Sequence, residues 1–361
     1  MSLNVGVVLR ILLISLLIIG LYFIFEKSGE LKTIHEYPLD VKLYEIYEKL
    51  GPDEDWTPES GILPRPINMA QFSLIRAPRW LCNYQGNGLR PMQNQSTIDI
   101  LFVVKSRIKS FDQRSAIRST WGNASCTLSV GALTRTLFAL GTTAVPEPLL
   151  DFFLQQEQDE HDDLLQFDFV DEYYNNTYKV MSSLKYISRY CPNARFVMIV
   201  DEDFLVNVKN VIRTIQSVTN LEYQTYVSGH VYDHMKPMRI LWGKWYISYL
   251  SYPFSTFPPY ATGGSIIFSM PVVRLLVVGM PFVKYLWIDD VYIGFVLLKY
   301  GISPRHLNGI YLKRTTSPSE LRNAISSHKF SNAQLMNAGW TVLQDIGVCR
   351  NGSVLRTTLN T

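Results

Sequence analysis

Apolar residues in this chain are grouped as several short runs through its middle and one long run at its start, and the two groupings predict different things. Residues 98–104, interrupted only by Asp99, have the pattern of a strand buried on both faces. The runs at 136–140, 164–169 and 196–200 repeat that pattern, while 113–121, 147–160, 174–189 and 207–218 space their apolar residues helically. Strand alternating with helix predicts an α/β domain, a mostly parallel central sheet with helices on both faces. Further on, 225–231 and 265–269 read as strands and 271–279 as a helix opened by Pro271. A last helix, 290–300, has an acidic first turn and ends at Lys299-Tyr300-Gly301. No internal repeat is visible, so 97–361 reads as one domain with two subregions that divide near residue 207.

The long run, 5–25, is broken only by Arg10, and from Ile11 to Phe25 it carries no charge. A helix of about 20 residues crosses roughly 30 Å, so this segment predicts a single transmembrane helix with Arg10 reaching back to the headgroups. A cleaved signal peptide is the competing reading, but the exit Phe25-Glu26-Lys27-Ser28 has no small-x-small cleavage site. The expectation is an uncleaved signal anchor, with residues 1–4 cytosolic and everything beyond Phe25 lumenal. Residues 26–96, rich in proline and polar residues and without a sustained period, read as a lumenal stem. Sequons at Asn94, Asn123, Asn175 and Asn351 agree with a lumenal placement and mark candidate glycosylation sites. Cys82, Cys126, Cys191 and Cys349 lack zinc-type spacing and predict one or two disulfides, with the pairing open. The formal charge of +3 is close to neutral, and no stretch interleaves Lys and Arg with aromatics, which argues against nucleic acid as a partner.

The run 196–200 delivers two carboxylates spaced one residue apart, Asp201 and Asp203. Acids at the end of an apolar strand are costly to desolvate, so they point to a bound cation or to chemistry. Residues i and i+2 of an extended segment face the same way, which lets this pair address one hard divalent ion and a diphosphate it carries. Asp289 and Asp290 form a second acidic pair; helix capping alone would account for them. Arg114 and Arg118 share a helix face and read as contacts for diphosphate or uridine. Gly263-Gly264, after two prolines, would let backbone approach a ligand closely or would form a plain turn, and Lys244, Trp245 and Tyr246 offer faces for a sugar. His306, after Pro304, reads as structural.

Taken in order, several segments resemble the secretory-pathway β1,3-glycosyltransferase family of galactosyl- and N-acetylglucosaminyltransferases, over about 98–330. The resemblance is carried by Arg114-Ser-Ala-Ile-Arg-Ser-Thr-Trp-Gly122, Asp163-Leu-Leu-Gln-Phe-Asp-Phe169, Asp171-Glu-Tyr-Tyr-Asn-Asn-Thr-Tyr-Lys179, Asp201-Glu-Asp203, Pro258-Pro-Tyr-Ala-Thr-Gly-Gly264 and Asp289-Asp-Val-Tyr-Ile-Gly294. Lys244-Trp-Tyr-Ile-Ser248, Tyr252-Pro-Phe254 and Ser326-Ser-His-Lys-Phe330 are most similar to its Brainiac-like branch, whose members act on glycolipids. Two departures stand out: Glu202 replaces the middle of three aspartates, and Thr262 stands where Cys or Ser is usual.

The resemblance implies a GT-A-type fold and an inverting β1,3-hexosyltransferase of the Golgi membrane. It would move galactose or an N-acetylhexosamine from a UDP-sugar to a glycan acceptor on a glycosphingolipid or glycoprotein. In that scheme Asp203, Asp201 and His328 hold Mn²⁺ on the donor diphosphate, Asp290 is the general base and Asp289 supports it. Two other classes stand beside it. A haloacid-dehalogenase-type phosphatase also places Asp-x-Asp after an apolar strand, but wants it near the domain start with Thr or Val two residues on, where this chain has Leu205. A catalytically inactive membrane-anchored glycan-binding protein would keep the fold and lose turnover.

Overall fold

The computed structural model describes residues 6, 10, 12–20, 33–51, 56–62, 64–79, 81–82, 97–128 and 131–349. Its centre is an eight-stranded sheet. The strands are β1 (Leu74–Arg76), β2 (Ile98–Lys105), β3 (Thr134–Thr142), β4 (Leu164–Val170), β5 (Ala194–Asp201), β7 (Val227–Tyr232), β8 (Tyr260–Ser269) and β9 (Arg305–His306), and they lie in the order β1-β4-β3-β2-β5-β8-β7-β9. The four strands read from continuous apolar runs, β2 to β5, pair in parallel. The sheet as a whole is mixed: β8 runs antiparallel to both β5 and β7, and β1 antiparallel to β4.

Period-two alternation sorts each central strand between two cores. On β2, Leu101 and Val103 face one side and Ile100, Phe102 and Val104 the other. Helices α1 (Leu43–Leu50), α4 (Asn176–Tyr190), α6 (Met270–Gly279) and α7 (Asp289–Lys299) cover the first face, contributing Ile46, Leu184, Leu276 and Phe295. Helices α2 (Phe111–Ser119), α3 (Pro148–His161), α5 (Val208–Gln216) and α8 (Ala333–Asp345) supply Ile117, Leu154, Val211 and Met336 to the second. A small sheet of β6 (Leu205–Val206), β10 (Ile310–Tyr311) and β11 (Ser326–Ser327) folds the C-terminal part back; Ser327 pairs with Leu205, which sets His328 beside the Asp201–Asp203 turn.

The expected stem does not stay outside the domain. Ile34, Val41, Leu43, Ile46, Leu50 and Ile62 are buried in the first core, β1 extends the main sheet, and the Lys299 ammonium donates to the carbonyls of His35 and Leu39. Apart from the helical spacing of Leu43, Ile46 and Leu50 on the short α1, these contacts come from scattered apolar residues with no sustained period, which is why composition suggested a loose extension. Disulfides join Cys82 to Cys191 and Cys126 to Cys349, with Cα separations of 5.2 and 5.3 Å, as suits an oxidising compartment. Residues 12–20 are helical, and no helix among the described residues is long and apolar enough to cross a membrane. Most of the remainder of the expected span at 5–25 lies outside the described residues.

Candidate active site

Strand β2 turns to β3 and β4 on one side while β5 returns on the other, so the order reverses between β2 and β5. A crevice opens outside the carboxyl ends of parallel strands at such a point. Lys105 ends β2, Asp201 ends β5, and the two residues pair in register. Lys105 Nζ lies 2.9 Å from Asp201 Oδ1 and 2.6 Å from Asp289 Oδ2 at the start of α7. Burial would push the Lys105 ammonium down, but the two carboxylates outweigh it and hold it well above its ordinary range. Burial raises Asp201 against the pull of Lys105, with Asp289 adding to the rise.

Strand β8 supplies the opposite wall. Val200 pairs with Ser265, which sets Gly264 beside Asp201. A Cβ on Gly264 would run into the Phe204 ring, and one on Gly263 would lie 3.2 Å from both Asp289 carboxylate oxygens. The two glycines therefore let the acids close against the strand, a role that neither close approach to a ligand nor a plain turn had foreseen. The Gly263 N–H donates to Asp290 Oδ2 at 3.0 Å, and the Val291 N–H to Asp290 Oδ1 at 2.8 Å. Burial and the adjoining Asp289 nonetheless push the Asp290 carboxyl up to about 7, with the two amides acting against the rise.

Asp201 and Asp203 take different partners. His328 Nε2 stands 3.0 Å from Asp203 Oδ2, both side chains about a third exposed, and the imidazole stacks on Phe204 with ring centroids 4.7 Å apart. The hydrogen bond to Asp203 raises His328 despite partial burial. No group of three or more His, Cys, Asp or Glu among the described residues forms a ready metal site. A carboxylate and an imidazole, held together and partly open to solvent, still suit a divalent ion whose other ligands come from a diphosphate and water. Between them Glu202 points inward: Ser106 Oγ donates to it at 2.6 Å, Ser110 Oγ at 3.0 Å, and Arg107 through Nε at 2.7 Å and its backbone N–H at 3.1 Å. The middle acid of Asp201-Glu202-Asp203 thus ties the β5 turn to the loop after β2.

The nucleotide contacts expected of Arg114 and Arg118 do not fit where these residues sit. Arg114 is fully buried; Glu157 takes its Nε and one terminal nitrogen at 2.8 and 2.6 Å, and the Arg107 carbonyl accepts at 2.9 Å. Arg118 makes a two-point pair with Asp163 at 2.8 and 2.7 Å and reaches Glu157 at 2.7 Å. Identical side chains bind phosphates elsewhere, and nothing local in the sequence shows that α3 brings an acid across to take them. Lys244 and Trp245 are exposed beside Tyr173: the Lys244 ammonium lies 4.3 Å from the Tyr173 ring centre, and Trp245 Nε1 donates to the Tyr173 hydroxyl at 3.0 Å. Tyr246 is half-buried and bridges to Met238. Tyr173 and Tyr174 pack on Trp287, two residues before Asp289, so this aromatic group borders the acid site.

Asn123 is exposed, whereas Asn175 gives its amide to the Val170 carbonyl and its sequon partner Thr177 is buried; Asn94 and Asn351 lie outside the described residues. His306 accepts the Val231 N–H through Nδ1. Residues that sequence reasoning missed are Lys105, Glu202 as a brace, and the buried Lys179–Asp171 pair at 2.6 Å, which also holds the Ser106 carbonyl. The signal for Lys105 was available, since a charge ending an apolar strand singles it out as it does Asp201.

Similarity to known proteins follows this geometry. A family model described as galactosyltransferase matches residues 112–308. Beta-1,3-galactosyltransferase brn of Drosophila melanogaster is 29% identical over 335 residues, covering 92% of this chain and 95% of that protein. Human lactosylceramide 1,3-N-acetyl-beta-D-glucosaminyltransferase is 35% identical over 234 residues, 63% of this chain and 60% of that one. Human beta-1,3-galactosyltransferase 1 is 32% identical over 277 residues, 76% of this chain and 80% of that one. Among solved structures, a glycosyltransferase involved in the glycosylation of the major capsid of PBCV-1 gives a TM-score of 0.34 at 11% identity, covering 67% of this chain and 98% of that one, too slight a likeness to carry an argument. The match over 112–308 takes in Asp201, Asp203, Gly263, Gly264, Asp289 and Asp290 together, and the chain belongs to the galactosyltransferase family.

Proposed function

We propose that the chain is an inverting β1,3-hexosyltransferase with a GT-A-type domain, moving galactose or an N-acetylhexosamine from a UDP-sugar to a glycan acceptor on lipid or protein. The observation that carries this reading is the meeting of Asp201 and Asp289 on Lys105 at the β2/β5 switch point, with Asp290 beside them against Gly263. The apolar run before Glu26 and the two disulfides support a Golgi-type setting, membrane-anchored and with the domain lumenal.

Asp290 is the general base in this scheme. Its pKa near 7 leaves it both ionised and basic at neutral pH, the balance that proton abstraction from a sugar hydroxyl needs. One displacement from the face opposite the departing diphosphate turns an α-linked donor into a β-glycoside, so a second catalytic carboxylate is not required. Lys105 bridges Asp289 and Asp201, its charge offsetting the repulsion between the two acids. Gly263 and Gly264 let Asp289 and Phe204 close on the strand and so shape the donor side of the crevice, and Trp245 and Tyr246 offer apolar faces to the acceptor. Asp203 and His328 would hold Mn²⁺, with Asp201 nearby, and the ion would neutralise charge on the leaving diphosphate.

The test is UDP release by the purified full chain in detergent, over a panel of UDP-galactose, UDP-N-acetylglucosamine, UDP-N-acetylgalactosamine and UDP-glucose, with and without chelator. Chelator-sensitive release from one hexose donor supports the reading. Chelator-insensitive release, or none from any donor, overturns it.

A further inference from the structure

Between His234 and Ile288 the chain contains no acid, although acids nearly balance bases over its whole length. Within this stretch lies an unusual surface. Leu241, Trp242 and Leu250 are 73, 88 and 87% exposed, and Ile240 and Tyr249 stand out beside them. These side chains are presented by an ordered scaffold. Gly243 donates its N–H to the Ile240 carbonyl at 2.9 Å, which closes the 240–243 turn, and Ile247 to the Met238 carbonyl at 2.9 Å, which closes the base of the loop. Arg239 donates to the carbonyls of Ile247, Tyr252 and Phe254 at 2.7–2.8 Å, and Lys284 to the Leu250 carbonyl at 2.9 Å, which pins the base and the 248–251 turn. Ile247 and Tyr252 anchor the loop in the core. Two rigid turns therefore hold large apolar side chains in water, where no folding gain explains them.

We propose that the 240–251 loop seats in a phospholipid surface, with Leu241, Trp242 and Leu250 in the interfacial layer and Lys236 and Lys244 at the level of the lipid phosphates. The composition favours lipid over a protein partner: Trp, Tyr and Leu with Lys and no acid is the chemistry of a membrane interface. A bilayer is also at hand. The first described helix, 12–20, exposes Leu12, Leu13, Ile14, Leu16, Leu17, Ile18 and Ile19, and belongs to the apolar run that ends at Phe25. Trp245, on the same loop, hydrogen-bonds to Tyr173 of the aromatic group bordering Asp289, so seating the loop would turn the acid site toward the membrane plane.

The inference concerns where the domain sits and needs no turnover to test, so its failure is separable from failure of the transferase reading. Full-length chain is reconstituted into phosphatidylcholine vesicles, with or without bromine at carbons 6 and 7 of one acyl chain, and tryptophan fluorescence is compared. Brominated lipid should quench the wild type, and Trp242→Phe should remove at least half of the quenched fraction. Leu241→Ser combined with Leu250→Ser should lower quenching as well, although both tryptophans of the loop remain. Equal quenching of the wild type and of both variants overturns the proposal. A loop covered by another protein or by a second copy of the chain would give that outcome, with quenching coming only from elsewhere.

Discussion

Lys105 and Asp201 are register partners on adjacent parallel strands, and their charges meet at 2.9 Å where both strands end. Neither residue alone defines a site. Together they place a cation among three carboxylates, because Asp289 approaches the same ammonium from the start of α7 and Asp290 follows it. The Lys105 side chain is 5% exposed and that of Asp289 14%, so the pair is far less screened than a surface ion pair.

Replacing Lys105 with Met would leave Asp201 and Asp289 facing each other without a cation. Removing one partner of a buried pair costs about 3–5 kcal/mol, and the lower figure applies because the Asp201 side chain is 35% exposed. Lys105→Met should therefore lose about 3 kcal/mol in urea unfolding and at least about 100-fold in transfer rate, the lower end of what a displaced catalytic group costs. Unchanged unfolding midpoint and unchanged turnover would show that the ammonium is dispensable.

Arg114 should behave as a structural residue. Its guanidinium braces α2 against Glu157 and against the carbonyl of Arg107, in the loop that carries Ser106 to Glu202. Arg114→Ala leaves the buried Glu157 with Arg118 as its remaining cation and should cost about 3 kcal/mol, while Arg114→Lys keeps the charge but loses the two-point geometry and should fall between. UDP affinity of the fraction that remains folded should match wild type. A variant with wild-type melting and lost UDP binding would return Arg114 to the nucleotide.

The central strands and most helices were legible because a strand buried on both faces must be apolar along its whole length, and a covering helix must not. Legibility ended where partners arrive from far along the chain. Gly263-Gly264 reads as a close approach to a ligand or as a turn, yet it lies within β8; the missing side chains make room for Phe204 and Asp289, which no local pattern announces. Alternation with helices foretold the parallel pairing of β2 to β5, but the antiparallel direction of β8 was out of reach, since a buried strand has the same composition in either direction. The acids were found because charge ending an apolar run is costly without a purpose. Their division of labour, with Asp201 on Lys105, Glu202 inward and Asp203 on His328, required the fold.

Asp290 leads to a pH prediction. A base must be ionised to act, so kcat/KM should rise with pH through an acid limb centred near 7, where burial and Asp289 place this carboxyl. The linked effect on stability has the opposite direction. From its ordinary value of 3.8 up to about 7 the native state holds a proton that the unfolded chain has released, so stability falls as pH rises across that window. Asp290→Asn should abolish the limb, lower transfer by about 10²–10⁴-fold and leave UDP binding intact. A limb centred near 4 in the wild type would assign the base elsewhere.

Phe204 couples the glycines to the proposed metal ligands. It fills the space that a Cβ on Gly264 would need, and its ring stacks on the His328 imidazole at 4.7 Å. Gly264→Ala must displace the ring, and the shift passes to the Asp203–His328 pair. Manganese binding, read by electron paramagnetic resonance on the full chain with UDP, should weaken about 10–100-fold in Gly264→Ala, as for loss of a group that orients a ligand. His328→Ala and Asp203→Asn, which remove donors outright, should weaken it at least as much. Cutting the ring back relieves the clash, so Gly264→Ala combined with Phe204→Leu should recover part of the loss. Wild-type manganese affinity in both His328→Ala and Asp203→Asn would place the ion on other residues.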